Sequence, residues 1–281
     1  MRKRTSNIKV GNLSMPIPKK GEGETCYLMT ALSVSHRATA TFFAEKDRTM
    51  REYFREPFQY WSHGPNDFSL VAREDRQVIR FDLNRFVARV EGYSSLAPFE
   101  KMVKLARDLS ERFEISEIRS ILFHSIRTLS MKSSGDARQT FLERFYTTKT
   151  LSLLTQDEYS DFGLVVERRP WPATSEFRKF PKPKFADPYA KLLISERTEI
   201  GPVSKNEIIN KGVWIEFNPK TENELYKTKP VVPTAAILAN LQFMAKANRQ
   251  EEFLSVDMLW KFYEWARHQA DEVWGKIEKD E

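Results

Sequence analysis

The stretch ISEIRSILFHSIRTLSM, residues 115–131, decides the architecture, because it reads two ways. Ile121, Phe123, Leu129 and Met131 follow a period of two, with Arg119 and Arg127 among them. Ile115, Ile118, Leu122, Ile126 and Leu129 follow helical spacings of three and four. Isoleucines at 115, 118 and 121 favour a long strand, because β-branched side chains suit a pleated surface better than a helical turn.

Before this stretch lies a meander. Residues 68–73, 78–83 and 86–91 are short runs rich in Val, Ile and Phe, separated by polar residues that suit hairpin turns. Gly92, Tyr93, Ser94 and Ser95 end the third run, and Ser95 is expected to cap a helix through Phe113. Its apolar stripe is Phe99, Met102, Val103, Ala106, Leu109 and Phe113. Residues 26–35 read as a strand with Cys26, Leu28, Leu32 and Val34 on one face, residues 41–54 as a helix, and residues 59–66 as an aromatic turn region.

After it, residues 162–167, 192–196 and 213–217 read as strands. Prolines at 170, 172, 181, 183 and 188 exclude an interior helix or a central strand and predict an extended arm over 168–188. Thr234 is expected to cap a helix through Ala247, followed by a longer helix to about residue 279. The expected fold is α+β: a largely antiparallel sheet, a central amphipathic helix and a helical C-terminal unit. The expected divisions are an N-terminal arm at 1–24, an α+β body at 25–230 and the helical unit at 231–281.

Charge is distributed unevenly. Residues 1–20 carry Arg2, Lys3, Arg4, Lys9, Lys19 and Lys20 and no acid, so they account for the whole net charge of +6 and the remainder is neutral. A block of this kind stays solvated or grips an anionic partner. One cysteine, Cys26, excludes an internal disulfide framework and points to a reducing compartment. Neither a signal-peptide apolar region nor an apolar run of membrane-spanning length is present, so the expected location is cytoplasmic, without membrane contact.

The second basic segment is the proline arm. Arg168, Arg169, Arg178, Lys179, Lys182 and Lys184 stand against Glu176 alone, interleaved with Trp171, Phe177, Phe180 and Phe185. Cations for phosphates and aromatic faces for stacking suit RNA or single-stranded DNA. The same aromatics equally suit docking to the chain's own body or to a sister subunit. In the last helix, Val256, Leu259, Tyr263, Ala266, Ala270, Val273 and Ile277 form a seam, while Trp260, Phe262 and Trp265 add bulk on another flank. That flank is the expected interface with a protein partner or sister subunit. The four histidines are far apart and lack metal-ligand spacing, so neither a metal nor a cofactor is expected.

Two resemblances bear on function. Arg119 and His124, in RSILFH, resemble the arginine–histidine element of HEPN-type ribonucleases, in which the histidine serves acid–base chemistry and the arginine steadies the phosphate. That element sits on helices in all-α domains; on a strand, positions 119 and 124 point to opposite faces. Separately, residues 68–131 resemble an uncharacterised, sporadically distributed bacterial protein family. The similarity rests on the meander ending in RFVARV (85–90), the tip Glu91-Gly92-Tyr93, an amphipathic helix and an arginine-bearing strand. It implies an α+β fold and no established activity. The leading expectation is a non-enzymatic accessory subunit binding a protein or nucleic acid through its basic tail and basic-aromatic arm. The alternatives are a nucleic-acid-processing enzyme using Arg119 and His124, and a self-assembling structural protein.

Overall fold

A computed structural model describes residues 23–55, 58, 60–72, 75–146, 163–172, 192–210, 233–248 and 252–279; for 60–63, 168–172, 192 and 209–210 only the backbone is described. Arg2, Lys3, Arg4, Lys19 and Lys20, the arm residues Arg178, Lys179, Phe180, Lys182 and Lys184, and the expected strand at 213–217 lie outside the described residues.

Residues 115–131 resolve as strand: β6 spans Glu117–Met131. It lies near the middle of one antiparallel sheet whose other strands are β1 (Thr25–His36), β2 (Tyr60–His63), β3 (Asp67–Ala72), β4 (Gln77–Asp82), β5 (Arg85–Tyr93), β7 (Leu164–Pro172), β8 (Leu192–Ser204) and β9 (Ala235–Ala247). Their order is β2-β3-β4-β5-β1-β6-β9-β8-β7, and a two-residue β10 (Leu254–Ser255) pairs with the start of β6. The helices are α1 (Thr41–Tyr53), α2 (Ala97–Arg112), α3 (Ser134–Phe145), α4 (Lys205–Asn210) and α5 (Val256–Glu278). The class is α+β, and the meander and central helix form as their periods require.

One face of the sheet holds the main core. Leu32, Val34, Ile79, Phe81, Phe86, Ala88, Ile121, Phe123, Leu241 and Phe243 pack there against α1, α2, α3 and α5. All six stripe residues of α2 are buried, so this helix covers the meander as its spacing demands. It ends in a Schellman arrangement: Glu114 takes φ 53°, and the Ile115 N–H donates to the Ser110 carbonyl at 2.9 Å. That turn aims the chain into β6.

Six expectations need correction. Residues 235–247 form strand β9, not a helix capped by Thr234, and β9 pairs with β6 along its length. Ala, Leu, Met, Gln and Lys are good helix formers, but Ile237, Ala239, Leu241, Phe243 and Ala245 keep a period of two and bury that side in the sheet. No separate helical unit therefore begins at 231: the last helix lies on the same core as the meander. Ser95 does not cap α2, whose N-cap is Leu96 without a side-chain bond; Pro98 in the first turn sets the start. Residues 60–63 of the aromatic turn region form edge strand β2. Residues 168–172 belong to strand β7 and not to an arm, and Pro170 and Pro172 are accommodated because β7 ends the described strand order; the rest of the expected arm lies outside the described residues. Finally, β1 does not keep Cys26, Leu28, Leu32 and Val34 together. Tyr27 opposes Arg127 and Met29 opposes Ile126, so Leu28 is the extra residue of a bulge. Beyond it the alternation flips. Cys26, Leu28, Met29 and Ala31 join a second, smaller cluster on the other face, with Ile126, Val203 and α4's Ile208.

Helix α5 is buried on several sides. Ser255 caps it by accepting the Met258 N–H at 3.3 Å. Leu259, Phe262, Ala266 and Ala270 are wholly enclosed. Trp260 is buried with the Arg107 guanidinium 5.6 Å over its ring. Trp265 meets Phe243 edge-on at 5.8 Å and packs on Phe262. Trp260 and Phe262 thus belong to the chain's own core, and Trp265 is partly buried against it, so the three do not form an exposed interface flank.

Candidate functional site

Helices α1, α2, α3 and α5 all share one face, so the opposite face is where polar side chains of the sheet collect. In β5, Phe86, Ala88 and Val90 point to the helices, which turns Arg85, Val87, Arg89 and Glu91 the other way. Register then lines them up. Arg89 of β5 and His124 of β6 both oppose Ala31 of β1, and His124 opposes Gln242 of β9, which opposes Arg197 of β8. The small Ala31 side chain leaves the arginine and the histidine as neighbours across it.

The belt holds buried charge. Arg89 and Glu91 are 2% and 3% exposed and form an ion pair two residues apart on one strand face. Arg76, at φ 48°, closes the β4–β5 end by donating to the Glu91 carbonyl at 3.0 Å and the Gly92 carbonyl at 2.9 Å. Gly92 sits at φ 68°, and a Cβ there would lie 2.9 Å from the Arg76 guanidinium, so glycine is required at this tip.

On the other side of Ala31 the orientation of His124 follows from a chain of hydrogen bonds. The Glu199 carboxylate only accepts, so Asn240 turns its amide nitrogen to it at 3.1 Å. The Asn240 carbonyl oxygen therefore faces His124 Nε2 at 2.7 Å, and that nitrogen carries the proton. Gln242 donates to the same oxygen at 3.4 Å, and Arg197 Nε donates to Glu199 at 3.1 Å. Burial, offset in part by the Asn240 hydrogen bond and reinforced by the nearby Arg89 charge, pushes the imidazole down to about 4. At neutral pH it is uncharged, a poor general acid and a weak base.

The arrangement has a consequence for acid stability. His124 is neutral when folded and takes up a proton near pH 6.5 once unfolded, so unfolding binds protons between those values and stability falls as pH drops from about 6.5 towards 4. The full difference is roughly 3 kcal/mol. His36, also lowered by burial, adds to the same slope. His124→Gln should flatten the stability–pH curve over this window in urea titrations. An unchanged slope would mean that the imidazole titrates normally in the folded protein.

Arg119 and His124 are not brought together. Ser35 opposes Ser120 while His36 opposes Ile118, so Arg119 is the extra residue of a second bulge, and the face argument from simple alternation does not apply to it. It is exposed, with its guanidinium 5.5 Å over Phe253. Five residues of extended chain put it about 15 Å from His124. The arginine beside the histidine is Arg89, from a strand 35 residues earlier in sequence. Arg89, Glu91, Glu199 and Asn240 were all missed as partners. The first two stood on the polar side of a legible strand, whereas Asn240 was hidden by the helical reading of 235–247.

A second unusual feature lies at the far edge. Among the described residues β7 pairs with β8 on one side only, and Leu164, Val165 and Val166 are 37%, 56% and 40% exposed. Three consecutive exposed apolar residues on the last described strand of a sheet invite strand addition. Arg168, Arg169 and Trp171 continue the same strand, with backbone alone described. Elsewhere, no group of three or more potential metal ligands occurs among the described residues, and no helix there is long and apolar enough to cross a membrane. Among the described residues, fold and surfaces thus define an α+β protein whose sheet carries a polar belt beside a small apolar cluster on one face, and whose edge strand β7 exposes apolar side chains. No family model, curated protein or solved structure matched this chain.

Proposed function

We propose that this protein is a non-enzymatic interaction subunit that binds a protein partner along the free edge of β7, with the basic-aromatic run that begins at Arg168 contributing to the grip. The exposed Leu164–Val165–Val166 edge carries this reading. Among the described residues no strand pairs with its outer side, which leaves room for a bound strand, and its side chains offer the apolar contacts that such a strand requires. The separation of Arg119 from His124, and a buried imidazole too weakly basic to hold a second proton at neutral pH, weigh against the nucleic-acid-processing alternative.

A photo-crosslinking residue at 165, with one at exposed Glu111 as control, tests it on the full chain after nuclease treatment. Position 165 should capture a protein, position 111 should not, and Val165→Lys combined with a crosslinker at Val166 should reduce capture about tenfold while the melting curve stays cooperative. Equal capture at both positions would defeat the edge reading. So would cleavage of single-stranded RNA abolished by both Arg119→Ala and His124→Ala.

A further inference from the structure

We infer that the partner on β7 is a second copy of this chain, paired antiparallel across a two-fold axis through Val165; this rests on the edge reading above. The strand is self-complementary in one register. With Val165 opposite its symmetry mate, Leu164 faces the partner's Val166 and Val166 faces the partner's Leu164, so six apolar side chains meet each other. Glu167 then faces Gly163, and no like charges oppose.

Neighbouring registers fail on the same residues. A two-fold at Val166 sets Val165 against Glu167 and Leu164 against Arg168. One at Glu167 or Arg168 sets like charge against like. One at Leu164 leaves Val165, at 56% the most exposed of the three, against a glycine. The Val165 register also keeps Pro170 and Pro172, which lack an N–H, outside the five-residue ladder from 163 to 167. Leu164 and Val166 lie on the helix-bearing side, opposite Ile200 and Thr198, and Val165 lies on the other, opposite Glu199. The pairing therefore makes apolar contacts on both faces of a sheet continuous through two copies, an isologous arrangement.

Cysteine crosslinking reads this register directly. Across the two-fold, the Cα atoms of residue 165 would be about 4.5–5.5 Å apart, within disulfide range. Those of residue 164 would be about 7–8 Å apart, beyond it. The native Cys26 is buried and its thiol is pushed up to about 11, so it does not compete. Under mild oxidation Val165→Cys should form a covalent dimer, Leu164→Cys alone should not, and a mixture of Leu164→Cys with Val166→Cys should. Sedimentation of the unmodified full chain should show a dimer that Val165→Lys weakens at least about tenfold. Efficient crosslinking of Leu164→Cys alone would overturn the register. A monomer whose residue-165 crosslinker captures a different protein would overturn the second copy while leaving the edge reading intact. A monomer that captures nothing would remove both.

Discussion

Leu259→Asp should abolish the cooperative thermal transition of this protein. Leu259 is fully enclosed, in a helix whose neighbours Phe262, Ala266 and Ala270 are equally enclosed. The core around it holds apolar residues from α2, the sheet and α5 together, so a carboxylate there would be set among apolar side chains. Placing one there costs about 5 kcal/mol or more, comparable with the whole stability of many domains. Leu259→Ala gives the graded control: a cavity costing about 2–5 kcal/mol, with a lower melting temperature but a single transition. Were the aspartate variant to melt like the parent, α5 would have to lie off the core. Trp260→Ser should also act on folding and not on assembly, because Trp260 is buried beneath Arg107 within one chain.

Arg89→Met should destabilise the protein by about 3–5 kcal/mol, because it leaves the Glu91 carboxylate buried without its guanidinium. Arg89→Met combined with Glu91→Leu should cost much less than the two single changes summed, since two apolar side chains then replace two desolvated charges. Urea unfolding of the four proteins closes that cycle. Nuclear magnetic resonance supplies a second readout. Removing the Arg89 charge should raise the titration midpoint of His124, because that charge is one of the influences holding it down. Additive single and double effects, with an unmoved histidine, would show that the belt is not electrically connected across Ala31.

Much of the fold was legible because period and burial agreed. The α2 stripe recurs at three and four and is wholly buried; the meander runs alternate and pair in order. In β6 the isoleucines favoured the arrangement that the sheet adopts. Where local preference opposed period, the reading failed. Ala235–Ala247 is rich in helix formers, yet β6 on one side and β8 on the other supply backbone partners that outweigh propensity. The polar belt was less legible than the fold, because its members come from β5, β6, β8 and β9 and meet through register alone. Neither bulge, at Leu28 or at Arg119, has a glycine or proline to announce it.

By itself the sequence determined the α+β class, the meander and its covering helix, the apolar seam of the last helix, the concentration of net charge in residues 1–20 and the dearth of metal-ligand spacing. These follow from local periods and composition, which one segment expresses without reference to another. Only the tertiary structure decided that residues 235–247 enter the sheet, that Trp260 and Phe262 are buried with Trp265 packed against them, that Arg89 and not Arg119 neighbours His124, and that Leu164, Val165 and Val166 stand exposed on the last described strand. Each depends on which strand lies beside which, and strand order is set by burial summed over the whole chain, a quantity that no single window of residues contains.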